Sequence, residues 1–594
     1  MVLKINYMHN RTKIVCTLGP ATSSYEIILE LAKMGMDVAR LNFSHGTHAD
    51  HLQRIRYVKR AREECKKPLA ILADLRGPKI RVGKIIGDNL HLKPKQKLKI
   101  FKEGKGDASG ISLTPIEVLD SVNVGMKMLF NDGYIIATVI DKQDKEVTIE
   151  IENEGILSTR KGVNLPNAPL YLPPLTPEDV EDLKFACKEG VDIIAASFIR
   201  SSEHILTVKD LISQEKKPHI LVIAKIESHQ GVENFESIVQ VADGIMIARG
   251  DLGVELDLGE VPKLQKMMIR KCYDACKPSI TATQMLESMI ANPRPTRAEV
   301  SDVANAIYDG TSSVMLSAET ATGKYPVETV AQMKKIIAIA EGDCDFKDFF
   351  YLHSKRDYPS IAASVAIAAV KTAYSSSAKA IFAYTATGHT ARLVSRLRPQ
   401  MPIIALTPEE TNYHQLALNW GVIPFFQKGC QDTSQAFSCL SQFALKQGLI
   451  RFGDLVVVTA GANFGIKGST NMMMVESIGN ILVRGYKGYG KKVEGKVAIC
   501  LSPVGKKLPA AGSILVIPRC DNSYLYLMKE ALAVIVENHP QDMVSEKYAF
   551  LIARTFNISV VVRAEGARGV LQEGQVVTID PLRGLIYHGS EEVE

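Results

Sequence analysis

No apolar run in this chain approaches the roughly 20 residues needed to span a bilayer, so nothing in it reads as a membrane helix. The opening MVLKINYMHN lacks the apolar core of a signal peptide and is too short for a transit peptide, and a cytoplasmic setting is expected. Ten cysteines scattered over 594 residues do not make a disulfide framework. Cys272 and Cys276 stand four apart on a helical stretch, but no further Cys/His pair is spaced nearby to complete a metal site. The net charge of +6 is small for this length and the basic residues are dispersed, so neither nucleic acid nor a membrane surface is an expected partner. What remains is the composition of an ordinary globular protein, 46% hydrophobic and 23% charged, long enough for several domains.

The chemistry concentrates in Leu221–Gly253, LVIAKIESHQGVENFESIVQVADGIMIARGDLG. Leu221–Ala224 and Gly244–Ala248 are short apolar runs bounded by polar residues and read as buried strands. Val232, Phe235, Ile238 and Val239 keep helical spacing between them, which makes a strand–helix–strand unit. Each strand ends in charge, Lys225 and Glu227 after the first and Arg249 and Asp251 after the second. Neighbouring parallel strands bring those ends to one rim, where two carboxylates suit Mg²⁺. The alternative is that Glu227 and Asp251 are solvated loop acids.

The same rhythm recurs along the chain. Arg11–Pro20, Met36–Gly46 and Pro68–Gly77 read as the first three strands, with polar residues late in each: Arg40, Asn42, Ser44 and His45 in the second, Asp74 and Arg76 in the third. Val191–Ile199 is a fourth, the pair above supplies the fifth and sixth, and Pro278–Met285 and Ser312–Thr320 complete eight. Eight strand–helix units with polar residues at the strand ends predict an α/β protein built on a (β/α)₈ TIM barrel, its site at the carboxyl-terminal face. An open doubly wound sheet is the competitor, but no Gly-x-Gly-x-x-Gly follows the first strand. We assign barrel segments to residues 1–77 and 170–345. Residues 78–169 interrupt them with short alternating runs and Asn-Asp-Gly punctuation, and predict an inserted β-barrel domain placed as a lid.

Residues 346–475 read as a further α/β domain with strands at Ala380–Thr385, Pro402–Thr407 and Asp454–Thr459. Its small-residue loop Thr385–Thr390 opens a helix at Ala391–Leu397. With Ser469 and Thr470 it marks a phosphate site or an ordinary capped turn. The glycine- and lysine-rich stretch within 476–492 reads as a linker. Residues 493–594 read as a small β/α appendage with strands at Ser513–Pro518, Leu532–Val536, Ile558–Val562 and Val576–Ile579.

RLNFSHG (Arg40–Gly46), ADLRGPKIR (Ala73–Arg81), AKIE (Ala224–Glu227), ARGDLG (Ala248–Gly253), TATQMLESM (Thr281–Met289), PRPTRAE (Pro293–Glu299) and LSAET (Leu316–Thr320) closely resemble the pyruvate kinase family, in order and through residues 11–475. The resemblance implies phosphoryl transfer between phosphoenolpyruvate and ADP, giving pyruvate and ATP in the last step of glycolysis. It implies Glu227 and Asp251 as ligands of Mg²⁺ or Mn²⁺ and Lys225 as the ammonium beside the moving phosphoryl group. Arg40 would grip substrate phosphate, and the backbone at Gly250 and Asp251, with Thr283, would hold the carboxylate. Thr283, Ser317 and Glu319 would pass a proton. Asn42, Phe43, Ser44, His45, Arg81 and Lys161 would contact the nucleotide; Arg76 and Ser197 share the rim without an assigned role. The monovalent-cation region of many relatives matches Asn42, Ser44, Asp74 and the carbonyl of Leu75, with an acid where this chain has Lys79. An ammonium there would substitute for K⁺, so activity without K⁺ is expected unless Lys79 points to solvent. A homotetramer and a phosphorylated effector near Thr385–Thr390 are family expectations.

The appendage resembles the phosphohistidine swivelling domain of phosphoenolpyruvate-using enzymes. Its Thr-Ser-His-Ala-like motif is missing: counted back from Ile558–Val562, Tyr548 takes the histidine position, and His539 lies outside that register. A scaffolding or subunit-contact role is therefore expected of the tail. Two rival functions remain at this point: a Mg²⁺-dependent lyase or aldolase on the same barrel, and a metabolite-binding regulator without activity.

Overall fold

The computed structural model describes residues 10–101, 106–107, 109–143, 146–166, 168–354, 360–430, 432–461, 470–479, 481–504 and 512–589. The chain forms two compact units. One comprises Met1–Val370, Phe382–Ala436 and Thr459–Met472; the other comprises Lys371–Ile381, Phe437–Val458 and Met473–Glu594.

Within the first unit, eight parallel strands close into a barrel in sequence order: β1 (Lys13–Leu18), β2 (Val38–Asn42), β3 (Ala70–Asp74), β4 (Ile193–Ala196), β5 (Leu221–Ile226), β6 (Gly244–Ala248), β7 (Ser279–Ala282) and β8 (Ser313–Leu316), with β8 pairing back onto β1. Both faces of every strand are covered, which is why they read as continuous apolar runs rather than alternating ones. Val15, Val38, Leu72, Ile193, Ile223, Met246, Ile280 and Met315 fill the interior. Ile14, Leu41, Ile71, Ile194, Val222, Ile245 and Val314 pack outward under the helices. Each fully buried aliphatic side chain contributes about 1.5–3 kcal/mol relative to exposure, so the ring is rigid enough to aim the groups at its rim.

Two helix starts matter for that rim. Helix α1 (His48–Cys65) begins at Thr47, whose hydroxyl accepts from the Asp50 amide while Asp50 returns a bond to the Thr47 amide. Helix α2 (Pro177–Lys188) begins with the same reciprocal box between Thr176 and Asp179 and with proline in its first turn. A third short helix, α3 (Arg249–Glu255), follows β6 directly.

The insertion after β3 is a second closed barrel of seven strands, in the order Glu146–Ile151, Lys97–Phe101, Gly110–Thr114, Ile80–Val82, Gly162–Asn164, Lys127–Phe130 and Ile135–Gln143. Its core is its own, built on Leu98, Ile100, Ile111, Met128, Phe130, Ala137 and Ile149.

The C-terminal α/β region has five strands where the sequence marks three. Val422–Phe426, parallel to Ile403–Thr407, and Thr470–Ser477 are the additional ones. The first is masked in sequence by Pro424 and the second by the polar text around it. The helix expected at Ala391–Leu397 runs His389–Ser395.

In the second unit an eight-stranded sheet carries the tail, in the order Ile481–Arg484, Leu585–His588, Val576–Asp580, Val493–Ile499, Ser513–Ile517, Ala533–Val536, Ser559–Val562 and Lys487–Tyr489. Residues 476–492 are thus not a linker in the described structure: two of their segments are the opposite edges of this sheet. The glycines there serve close approach rather than looseness. A Cβ on Gly488 would lie 2.4 Å from the Val560 carbonyl oxygen and 2.5 Å from that of Pro581.

No described helix is long and apolar enough to cross a membrane. None of the ten cysteines is in a disulfide.

Candidate active site

The carboxyl-terminal ends of the barrel strands bring most of the expected residues to one rim. Lys225, near the end of β5, donates from Nζ to Ser197 Oγ at 2.6 Å and sits 3.0 Å from Asp74 Oδ1 and 3.2 Å from Glu227 Oε1. Asp74 ends β3 and is fully buried. Its Oδ2 accepts from Arg40 Nε at 2.6 Å, and Arg40 also donates from Nη1 to Thr17 Oγ1 at 2.8 Å. Burial works to raise the Asp74 pKa, but the Arg40 and Lys225 charges outweigh it and hold the carboxyl below its ordinary value. Burial likewise works against the Lys225 ammonium; Asp74 and Glu227 overcome it and keep the amine protonated.

Glu227 is the strained member. Its Oε2 accepts from the Phe198 amide at 2.6 Å, on a residue held at φ +52°. Burial pushes its carboxyl up, Lys225 opposes, and Asp251 adds like-charge repulsion, leaving the pKa raised. Asp251 lies in the first turn of α3, about one-third exposed, with the Lys79 ammonium 3.5 Å from its Oδ1. Two acids that repel each other offer the hard oxygen donors that Mg²⁺ takes from protein, and a divalent cation between them would relieve the repulsion. The described residues contain no larger cluster of metal-binding side chains, at Cys272 and Cys276 or elsewhere.

Thr283, just after β7, takes φ +67°. Its hydroxyl accepts from the Gly250 amide at 2.9 Å and donates to the Ala282 carbonyl at 2.6 Å. Arg249 clamps this bend: Nη2 donates to the Thr283 carbonyl at 2.6 Å and Nη1 to Asp302 at 2.8 Å. Beyond β8, Glu319 accepts from the Ser317 amide at 2.6 Å and the Leu286 amide at 3.1 Å, and burial raises its pKa.

Several expected roles change on inspection. Phe43 does not offer its side chain to a nucleotide: it is buried, its ring stacked 4.3 Å from His51 and edge-on to Phe185 at 6.0 Å. Ser44 and His45 are exposed and Asn42 is half-buried. Asn42 Oδ1 accepts from the Ser44 amide at 3.1 Å, and the exposed His45 gives its carbonyl to His51 Nε2 at 3.0 Å. Arg76 turns to α2, its Nε 3.0 Å from Asp182 Oδ2. The Leu75 carbonyl is taken by the Ser197 hydroxyl at 2.8 Å, and Lys79 stands at Asp251 and over the Phe198 ring at 5.2 Å, not at Asp74, whose charge Arg40 and Lys225 already meet. Arg81 and Lys161 are exposed on the lid; the strand that follows Lys161 pairs Gly162 with Arg81. Of the expected anion loop, Ser469 lies outside the described residues, while the buried hydroxyls of Thr390 and Thr470 hydrogen-bond to each other at 2.6 Å.

Sequence reasoning gave Ser197 and Arg249 no task. Both prove to be supports, the first holding Lys225 and the Leu75 carbonyl, the second the Thr283 bend. Only their position directly after a barrel strand signals either one.

Known proteins match the chain in its separate domains and over its full length. Residues 9–330 match the family model "Pyruvate kinase, barrel domain", 363–476 match "Pyruvate kinase, alpha/beta domain", and 509–584 match "PEP-utilising enzyme, mobile domain". A pyruvate kinase of Geobacillus stearothermophilus is 40% identical over 591 residues, covering 99% of this chain and 100% of the relative. One of Bacillus licheniformis is 39% identical over 589 residues, covering 98% and 100%. The crystal structure of a Cryptosporidium parvum pyruvate kinase superposes with a TM-score of 0.77 at 35% identity, covering 80% of this chain and 98% of that one. With its barrel, its α/β domain and its full length all matched, the chain belongs to the pyruvate kinase family.

Proposed function

We propose that this chain transfers a phosphoryl group from phosphoenolpyruvate to ADP at the rim formed by Lys225, Glu227, Asp74 and Asp251, yielding pyruvate and ATP. The observation that supports it best is the placement of Lys225: a buried ammonium held by Ser197, Asp74 and Glu227, with its position fixed before substrate arrives. Such transfer needs little covalent help and much charge neutralisation, so a fixed cation beside the moving group is a large contribution.

Glu227 and Asp251 would hold Mg²⁺ or Mn²⁺, which when bound supplies a Lewis acid for the phosphate oxygens. Arg40, pinned through Nε and Nη1, has its remaining N–H groups for substrate phosphate. The Asp251 amide in the first turn of α3 would meet the substrate carboxylate, while the Thr283 hydroxyl, by accepting from the Gly250 amide, holds that turn in place. Thr283, Ser317 and Glu319 would relay a proton toward the enolate, for which a carboxyl with a raised pKa is a suitable carrier. Asn42, Ser44, His45, Arg81 and Lys161 would meet the nucleotide.

Further elements of the reading are activity without K⁺, a cytoplasmic homotetramer, and a phosphorylated effector at the Thr385–Thr390 loop. The test of the central claim is an ADP-dependent coupled assay of pyruvate release. Turnover of oxaloacetate or an aldol substrate without ADP would replace it with the lyase reading. Titration of phosphoenolpyruvate with a panel of phosphorylated metabolites tests the effector, and sedimentation tests the tetramer.

A further inference from the structure

Helix α3 (Arg249–Glu255) holds two different things at its two ends. Gly250 and Asp251 lie in its first turn. Its last residue, Glu255, accepts a hydrogen bond at Oε1 from Asn164 Nδ2 of the lid at 2.8 Å. The four residue steps from Asp251 to Glu255 span about 6 Å of helix, so the inserted domain is tied close to the acid proposed to hold the metal. Asn164 ends the lid strand Gly162–Asn164, which starts directly after Lys161 and pairs with Arg81. A second contact lies beside the first. The lid turn Asn131–Gly133 is tied to that strand by the Asn131 amide on the Gly162 carbonyl at 3.0 Å, and it brings Gly133 over Val254 of α3. A Cβ on Gly133 would come within 3.6 Å of Val254 Cγ1.

We infer that Asn164 and Glu255 are positioning residues: a latch between lid and helix that sets Arg81 and Lys161 at a fixed distance from Asp251, and so sets nucleotide affinity. The inference rests on the reading of Arg81 and Lys161 as nucleotide contacts. A neutral amide suits the task. It supplies N–H donors to the carboxylate without adding a cation that would compete for Asp251. Glu255 is half-buried, and its partial burial raises its pKa, with Asn164 opposing and Asp251 reinforcing; His229 is the other titratable neighbour. A half-buried carboxylate loses stability when its donor is removed, which favours the closed latch.

The test is steady-state kinetics on the full-length enzyme. Asn164→Asp sets two carboxylates against each other and raises KM for ADP about 10-fold, while KM for phosphoenolpyruvate stays within about 2-fold. Glu255→Gln alone is close to neutral, since its amide oxygen accepts the same bond. The double variant N164D/E255Q reverses the bond, Gln donating to Asp, and returns KM for ADP to within about 3-fold of the parent. Recovery of this kind, confined to ADP, is not the behaviour of a contact that merely stabilises the fold. An unchanged KM for ADP in Asn164→Asp, equal losses toward both substrates, or no recovery in the double variant overturns the latch. Lys161→Ala is measured alongside. If it raises KM for ADP where the latch variants do not, the latch alone falls; if none of them moves it, the nucleotide reading falls too.

Discussion

The Lys225 ammonium and the Asp74 carboxylate meet at 3.0 Å although they stand on β5 and β3, with β4 between them. Ser197, which follows β4, bridges the gap by accepting from Lys225 and donating to the Leu75 carbonyl. The cation is therefore fixed by three strand ends at once, which is how a barrel rim supplies precision that a loop does not.

Lys225→Met follows directly. Asp74 keeps Arg40 as a partner, so the buried acid is not orphaned and the fold stands. Turnover is expected to fall by about 10³-fold or more, because the ammonium proposed to neutralise the moving phosphoryl group is gone. Circular dichroism with a coupled assay checks both halves, and turnover at the parental rate would end the catalytic reading.

Glu227 gives a stability prediction with a definite sign. Its folded pKa is raised, so the fold prefers the protonated acid. That contribution is fully present below the ordinary carboxylate pKa and is lost as pH rises through the folded value. Without metal, Glu227→Gln is then expected to melt higher than the parent at pH 8, with the gap closing on acidification. Mg²⁺ reverses the order, stabilising the parent by binding its native state and leaving the variant unmoved. Thermal melts at two pH values, with and without Mg²⁺, read both effects. A Mg²⁺ shift of equal size in Glu227→Gln would remove Glu227 from the metal site.

Lys79 bears on monovalent-cation dependence by a route the sequence did not suggest. Its ammonium stands 3.5 Å from Asp251 rather than at Asp74, so it adds positive charge beside the acid proposed to hold the metal. The enzyme is expected to turn over at full rate in buffer free of K⁺ and Na⁺. Lys79→Glu removes that charge and adds a negative one, and should lower the K⁺-free rate about 10-fold or more, with added K⁺ restoring part of it. Full activity appearing in the parent only on adding K⁺ would dispose of the idea.

These residues also mark what the sequence could disclose. The barrel was legible because strands buried on both faces leave unbroken apolar runs, and the rim was legible because its polar groups follow those runs at once: Asp74, Lys225, Glu227, Asp251. Partnerships were not legible. Arg76 with Asp182, Arg249 with Asp302, and Asn164 with Glu255 join residues 53 to 106 positions apart, and no local pattern distinguishes them from solvated charges. Phe43 misled because it lies inside a string that resembles a family motif while its ring packs into the core. Residues 485–490 misled because composition does not separate a flexible glycine from one packed against Val560.

The tail supplies the last prediction. Tyr548, which the sequence register sets where the swivelling-domain motif has its histidine, lies within the helix Met543–Phe556 and donates its hydroxyl to Asn522 Oδ1. A phenol lacks the imidazole nitrogen that attacks phosphorus in such domains, and this one is already engaged as a hydrogen-bond donor. Full-length enzyme incubated with ³²P-labelled phosphoenolpyruvate and no ADP should therefore carry no acid-labile phosphate in peptides from 512–589. Asn522→Ala frees the hydroxyl and should not change that outcome, because the missing nucleophile is the cause. Label on a tail peptide of either protein would show that the domain has kept its phosphate chemistry through another residue.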